Sequence, residues 1–317
     1  GGLLPAFRQY NATFGVTAVQ GSGSGNLFAA NPATTLALSG TTTKVYDTTT
    51  ASDGSGLTLG FTTAYGDVVS FGMTAVTYDD KNVGSGKMVA ATTDGNPGVG
   101  VYGGSIPVYG ITMSGAASNY GGAITPATIT SVTGIVANDK VYDATTAALL
   151  IGGGTFAGIY GGDVLQVDSA SAVFADKNVG AGKTVNITGI TLGGADAGNY
   201  TLANTNSTTT ADITAYGLTV SGAAAQNKVY DATTAAAISG GTVNSFYGDT
   251  VGVTGGGTFA NKNVGAGKAV TAALSLTGGD AGNYTLTQPG GLTANIDPAT
   301  ISAVTGITIN DKTYDGS

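Results

Sequence analysis

Between residues 126 and 213 the chain alternates apolar and polar positions in short bursts separated by glycine. Ala127 to Val136 places β-branched residues at Ile129, Val132 and Ile135. In the next burst Val141 and Asp143 share one face and Lys140 and Tyr142 the other, as successive side chains of a strand must. Leu149 to Ile151, Val164 to Val167 and Ala172 to Phe174 follow. Val185, Ile187, Ile190 and Leu192 make a longer run broken at Gly189, and Tyr200 to Leu202 and Thr209 to Ile213 end the stretch. A period of two in runs this short, with turn residues between them, predicts strands. Roughly seven or eight strands in one stretch predict an all-β sandwich or barrel.

The pattern recurs. Lys-Val-Tyr-Asp stands at 44–47, 140–143 and 228–231, and Lys312-Thr-Tyr-Asp315 opens it again. Asp80 to Lys87, Asp176 to Lys183 and Asn261 to Lys268 share the core Lys-Asn-Val-Gly-x-Gly-Lys. Asp196-Ala-Gly-Asn-Tyr200 and Asp280-Ala-Gly-Asn-Tyr284 close two copies, and Ser118-Asn119-Tyr120 is the corresponding text in the first. The opening lysines are 96, 88 and 84 residues apart, so each period is the size of one small domain. No shorter period of about 20–30 residues lies inside it, as a β-solenoid would require.

The array divides into a non-repeat segment at 1–31, repeats at 32–125, 126–213 and 214–297, and the opening strands of a further repeat at 298–317. Segment 1–31 reads as the end of a preceding unit or as an edge element on the first repeat. Repeat 1 carries a glycine-rich insertion at 88–107, which predicts a long hairpin or a protruding loop. Pro32, Pro126 and Pro298 stand in the similar text Pro-Ala-Thr at the repeat starts, a position where a residue without an N–H suits the first place of a strand. The repeat size fits an immunoglobulin-like sandwich without its usual disulfide and tryptophan. Junctions this short predict abutting modules, and hence tandem Ig-like β-sandwich repeats forming an elongated rod.

Composition narrows the chemistry. Cysteine, histidine and tryptophan are absent and every acidic residue is Asp, which excludes disulfides, thiolate or imidazole metal sites and any His-dependent catalytic dyad. Glycine is 54 of 317 residues and only 9% are charged, a composition for short strands and many turns. The formal charge is −8 with 11 cations, so no basic face for nucleic acid is expected. No apolar run approaches the roughly 20 residues of a membrane span, and no signal peptide is visible. The start at Gly1-Gly2 and the stop at Ser317 inside a repeat suggest a processed or incomplete piece of something longer.

Three motifs in fixed order resemble the YDG-type repeats of very large bacterial surface adhesins. Those repeats are related to the mostly bacterial Ig-like (MBG) modules and are often found near filamentous-haemagglutinin-like secretion regions. The matching text is Lys-Val-Tyr-Asp, Lys312-Thr-Tyr-Asp-Gly316, Lys-Asn-Val-Gly-x-Gly-Lys and Asp-Ala-Gly-Asn-Tyr, over residues 32–317. The chain departs from the family where Thr48, Ala144 and Ala232 replace the glycine after Tyr-Asp, and where Ala116 replaces the Asp of repeat 1. The resemblance implies a secreted, extracellular protein of the bacterial cell surface, a stalk or adhesive fibre, and not an enzyme. It carries over no catalytic residue. Its partners would be other copies of itself or adjacent repeats, with a glycan or a host or abiotic surface beyond them. A carbohydrate-binding module using loop 88–107 and surface tyrosines is one alternative. A filament in which residues 298–317 complete a neighbour's sheet is another.

All ten lysines lie in the motifs, which makes their partners the sharpest chemical question. One answer is structural: each lysine pairs with a recurring Asp such as Asp143 or Asp163, or covers apolar surface with its stem. The other is a Lys–Asn isopeptide bond, in which a desolvated, neutral lysine attacks an asparagine carbonyl while a carboxyl shuttles protons. Its candidates are Lys140 with Asn178 or Asn199, assisted by Asp143 or Asp163. Lys44, Asp47 and Asn82 are the counterparts in repeat 1, and Lys228, Asp231 and Asn263 those in repeat 3. Asp163 in Tyr160-Gly-Gly-Asp163 has echoes at Asp67 and Asp249 and offers oxygen to calcium. Asp176 becomes Asn261, however, so no Asp cluster persists in all repeats and turn-forming Asp is preferred. No other cofactor is implied. Gly180-Ala-Gly-Lys183 lacks the first glycine region and the following helix of a phosphate loop and reads as a hairpin turn.

Overall fold

The two-residue alternation governs burial strand by strand. Leu57–Thr62 buries Leu57, Leu59 and Phe61; Asp67–Phe71 buries Asp67, Val69 and Phe71; Gly84–Thr93 buries Lys87, Val89, Ala91 and Thr93. A computed structural model describes residues 5–10, 12, 20–28, 35–93, 100–102, 106–111 and 113–316. Among these the fold is all-β, with two single-turn 3-10 helices at Ala197–Asn199 and Ala281–Asn283 and no α-helix. No helix among the described residues is long and apolar enough to cross a membrane.

The chain forms two compact units. One comprises Gly1–Ile135, Gly153–Ser171 and Thr188–Ser207; the other comprises Val136–Gly152, Ala172–Ile187 and Thr208–Ser317. This division does not follow the sequence repeats. The first unit holds segment 1–31 and repeat 1 with three segments of repeat 2 (126–135, 153–171 and 188–207), and the second holds the rest of repeat 2 with repeat 3.

In the first unit a seven-stranded sheet runs in the order Gly25–Leu27, Phe7–Gln9, Ile106–Tyr109, Gly100–Tyr102, Asp67–Phe71, Leu57–Thr62 and Ala37–Gly40. Phe7–Gln9 pairs in parallel with strands on both sides, so the described part of segment 1–31 is an edge element of this sheet. The insertion of repeat 1 also joins it. Gly100–Tyr102 and Ile106–Tyr109 form an antiparallel pair, and Val101 stands opposite Val68. The other inserted residues at 94–99 and 103–105 lie outside the described residues. Tyr10, Phe61, Val69, Phe71, Val108 and Ile111 form the core of this region.

A five-stranded sheet follows in the order Thr42–Val45, Gly115–Thr125, Gly84–Thr93, Ala75–Tyr78 and Ala51–Ser52. Its register slips at Gly122, where a Cβ would lie 2.4 Å from Val89 Cγ2 and 2.8 Å from Tyr78 Cε1. Only glycine fits there. Ser118-Asn119-Tyr120 lies inside the strand Gly115–Thr125 and is not the counterpart of Asn199-Tyr200. Tyr120 is 74% exposed, whereas Tyr200 and Tyr284 are each 6% exposed. The physical reason is Ala116. In the other copies Asp196 and Asp280 accept the N–H of Val164 and Thr250, at 2.9 and 2.8 Å, and so pin the 3-10 turn. Alanine has no acceptor, and residues 115–119 pair as strand instead.

In the second unit a six-stranded sheet runs in the order Ala224–Ala225, Ala235–Ser239, Gly252–Phe259, Gly265–Thr277, Thr293–Asp297 and Lys228–Val229, over a core of Ala236, Phe259, Val270, Ala294 and Ile296. The opening strands pair in parallel with the closing ones: Lys140 stands opposite Ile213, and Lys228 opposite Ile296. Residues 298–316 form no strand, and their side chains are exposed.

Candidate functional site

Each of the three Lys-Val-Tyr-Asp motifs builds the same small cage. Lys140 Nζ donates to Asp143 Oδ1 at 2.7 Å, to Thr145 O at 2.9 Å, to Thr145 Oγ1 at 3.2 Å and to Ala147 O at 3.0 Å. Lys44 makes the same contacts with Asp47, Thr49 and Ala51, and Lys228 with Asp231, Thr233 and Ala235. The ammonium also lies over an aromatic ring: Tyr78 for Lys44, Phe174 for Lys140 and Phe259 for Lys228, at 5.8, 5.5 and 5.6 Å. Asp143 Oδ1 accepts Thr145 N–H at 2.9 Å as well, closing an Asx turn. That turn puts Thr48, Ala144 and Ala232 at φ of 69°, 62° and 65°. The left-handed position suits glycine, and Gly316, which follows Tyr314-Asp315, adopts it at 77°.

The Lys-Asn-Val-Gly-x-Gly-Lys stretch is a turn stapled by the residue just before it and its last lysine. Asp176 Oδ1 accepts Asn178 N–H at 2.8 Å and Lys183 Nζ at 2.7 Å. Asn261 does the same for Asn263 N–H and Lys268 Nζ, at 3.1 and 2.5 Å. Lys87 pairs with Asp80 at 2.7 Å. The strands Gly84–Thr93, Gly180–Gly193 and Gly265–Thr277 run through these stretches, so this is no phosphate loop.

The site itself lies where a Tyr-Gly-Asp element meets residues from the preceding period. In the first unit Asp163 Oδ2 accepts the phenols of Tyr46 and Tyr200, at 2.9 and 2.6 Å, and Oδ1 faces Lys81 Nζ at 3.5 Å. In the second unit Asp249 Oδ2 accepts Tyr142 and Tyr284, at 2.7 and 2.6 Å, and Oδ1 pairs with Lys177 Nζ at 2.5 Å. Beside each carboxylate an asparagine docks on the turn. Asn199 Oδ1 accepts Val83 N–H at 2.9 Å while its Nδ2 donates to Asn82 Oδ1 at 3.2 Å. Asn283 repeats both contacts with Val179 and Asn178, at 2.9 and 3.2 Å. The rings of Tyr46 and Tyr200 meet edge to face at 5.4 Å, as do those of Tyr142 and Tyr284 at 5.3 Å. A third version holds Asp67, which is fully buried: Arg8 donates to its Oδ1 at 3.0 Å, Tyr10 to its Oδ2, and Thr63 Oγ1 stands in for the second phenol at 3.2 Å.

The Asp-Ala-Gly-Asn-Tyr text positions its end of the junction. Its single 3-10 turn buries Asn199 and Asn283, and the next residue, Tyr200 or Tyr284, begins a strand. Burial opposes ionisation of Asp163 and Asp249, but hydrogen bonds from the two phenols and the nearby lysine outweigh it, so both carboxyls sit below the usual range. Burial, then the neighbouring carboxylate, pushes Tyr200 and Tyr284 up to about 12. Asp249, ahead of Tyr142, raises Lys177. The group is thus an ionised carboxylate, two neutral phenols and an ammonium. Such a set holds charge in place and offers no free nucleophile.

The sequence-predicted residues are redistributed by this geometry. Lys140 meets Asp143, and Lys44 and Lys228 meet Asp47 and Asp231. Asp163 meets Tyr46, Tyr200 and Lys81. Asn82 meets Asn199, and Asn178 meets Asn283. The Nζ partners of Lys140 are the Asp143 carboxylate, the Thr145 hydroxyl and the carbonyls of Thr145 and Ala147. No group of three carboxylates able to hold a metal ion occurs among the described residues. Sequence reasoning missed Tyr46, Lys81, Tyr142 and Lys177 as partners of the Tyr-Gly-Asp carboxylates. The available signal was that Asp80 and Asp176 lie beside Lys81 and Lys177 yet are matched in spacing to Lys87 and Lys183.

The YDG domain family matches residues 30–98, 125–211 and 214–291. The first match stops within the insertion of repeat 1. Neither a curated protein nor a solved structure matches the chain.

Proposed function

We propose that this chain, which belongs to the YDG domain family, is a structural and adhesive repeat region of a secreted bacterial cell-surface protein, acting as a stalk or extracellular fibre. The observation that carries the reading is the recurrence of one junction, with all its partners, at Asp163 and Asp249. Copying every partner along a chain suits an element in which each period bears the same load. A catalytic centre needs one copy. Separating such a junction leaves a buried carboxylate unpaired, which costs about 3–5 kcal/mol when one partner of a buried pair is lost. In a chain without cysteine this replaces the covalent staple. The proposed architecture is a rod of Ig-like modules whose partners are adjacent repeats, other copies and an external surface.

Antibodies against the chain are expected to label intact cells. Single-molecule pulling of the full chain is expected to give unfolding forces that fall in Asp163→Asn and Asp249→Asn. Absence of surface label, or forces indifferent to both substitutions, overturns the reading. A second reading, glycan binding, draws on Tyr120 and Tyr247, whose exposed rings are free to stack on sugars. Glycan-array binding lost in Tyr247→Ala would favour it.

A further inference from the structure

We propose that Tyr230, Lys262, Asn263 and Val264 form the receiving half of another junction, shaped for the Tyr-Gly-Asp and Asn-Tyr elements of a further repeat of the kind that residues 298–316 open. These four residues occupy the places of Tyr46, Lys81, Asn82 and Val83 in repeat 1 and of Tyr142, Lys177, Asn178 and Val179 in repeat 2. In both earlier copies the phenol and the ammonium meet a buried carboxylate, and the asparagine side chain and the valine N–H meet a buried asparagine.

In the third copy none of these groups has such a partner among the described residues. Burial changes accordingly. Tyr46 and Tyr142 are buried, but Tyr230 is only partly so; Lys81, Lys177, Val83 and Val179 are half-buried, but Lys262 and Val264 are exposed. The half-site is otherwise built. Asn261 staples the turn to Asn263 N–H and Lys268, and the cage around Lys228 that carries Tyr230 is complete.

The occupant follows from chemistry. In the filled copies the lysine and the phenol share one carboxylate, and the adjacent valine N–H and asparagine amide take a second amide side chain. Asp163 with Asn199, and Asp249 with Asn283, supply that pair in the filled copies. A carboxylate three residues after an aromatic, as in Tyr160 to Asp163 and Phe246 to Asp249, with an Asn-Tyr turn beside it, is therefore the expected partner. Pro298-Ala-Thr-Ile301 repeats the opening text of repeat 2, where Ala127–Ile129 pairs in parallel with Tyr200–Leu202, the strand that follows the docking asparagine. Ile129 is fully buried there, while Ile301 is 83% exposed. The receiving half-site lacks its partner among the described residues, and the Ala299-Thr-Ile301 text, whose counterpart Ala127–Ile129 is a paired strand, is exposed and forms no strand in the same chain. A repeat carrying the missing motifs completes them together. The Asp residues of a second copy are already occupied by their own preceding periods, which favours a repeat joined in sequence over a second molecule.

The inference deepens the stalk reading and borrows from it only the identity of the partner as a repeat. Hydrogen exchange in solution tests it wherever the protein resides. Exchange at the Val264 amide is compared in the full chain and in a chain lengthened after Asp297 by a second copy of residues 126–213. Protection is expected to rise about tenfold or more, toward that of Val83 and Val179. Lys262→Ala with Tyr230→Phe is expected to remove the gain in the lengthened chain and to leave Val264 unchanged in the original. A lengthened chain whose added copy is protected while Val264 is not overturns the proposal, as does an added copy that stays unprotected. Val264 protection that grows with concentration in the original chain assigns the site to a second molecule and overturns it too.

Discussion

Tyr46 Oη donates to Asp163 Oδ2 at 2.9 Å across 117 residues of sequence. The same oxygen accepts Tyr200, and the other faces Lys81. Asp163→Asn keeps the shape but removes the charge, and its amide cannot serve all three donors. We expect a loss of about 2–4 kcal/mol in urea unfolding, and the same for Asp249→Asn. Asp176→Asn is the control. Asn261 already makes the same two contacts, so that substitution should leave the urea midpoint unchanged.

Alkaline titration should reveal the neutral phenols. Tyr200 and Tyr284 are held up to about 12, above the ordinary tyrosine value of 10.0. A group with a raised folded value contributes stability below its unfolded value and loses it as pH rises through the folded one. Stability should therefore fall between pH 10 and about 12, and phenolate absorbance should show a late-titrating class that disappears in urea. Asp163 and Asp249 behave in the opposite sense. Their folded values are depressed, so their contribution is present above the ordinary carboxylate range and lost as pH falls through the folded value.

Thr48, Ala144 and Ala232 sit at positive φ without being glycine. A side chain in the left-handed region costs about 1–2 kcal/mol, and glycine gives back about half of that in unfolded-chain entropy. Each substitution to glycine should stabilise the chain by about 0.5–1 kcal/mol, read as a higher urea midpoint. Unchanged midpoints for all three would show that the cage already compensates the strain.

Lys140→Met removes an ammonium that serves four acceptors and should cost about 1–3 kcal/mol in urea unfolding. Lys140→Arg should not rescue it, because the acceptors converge on one point and a planar guanidinium cannot reach them all. Intact mass gives a further check. The partners of Lys140 Nζ are Asp143, Thr145 and Ala147 and not an asparagine, so the mass should equal that of the unmodified chain, and loss of one ammonia would reveal an isopeptide bond.

Local relationships were legible in the text and distant ones were not. Lys140 and Asp143 lie three residues apart, so their proximity follows from any turn between them. Strands followed from the apolar alternation of repeat 2, which buries Ile129, Val132 and Ile187. Lys81 and Asp163, by contrast, are separated by 82 residues. Nothing in either motif says that a lysine should look past its own repeat. Asn119-Tyr120 shows the opposite error. Two letters matched Asn199-Tyr200, but the turn depends on an acidic residue three places earlier, and Ala116 cannot supply it.

The compact units are offset from the written period, and heredity can exploit that offset. Deleting residues 126–213 would set Tyr46 and Lys81 against Asp249 and Tyr284, which are the same groups they meet now. Insertion of a whole period would be equally silent. Copy number is then free to drift through slippage between similar gene segments without a compensating substitution elsewhere. The number of junctions becomes a trait that changes by counting, while the residues of each junction stay the same.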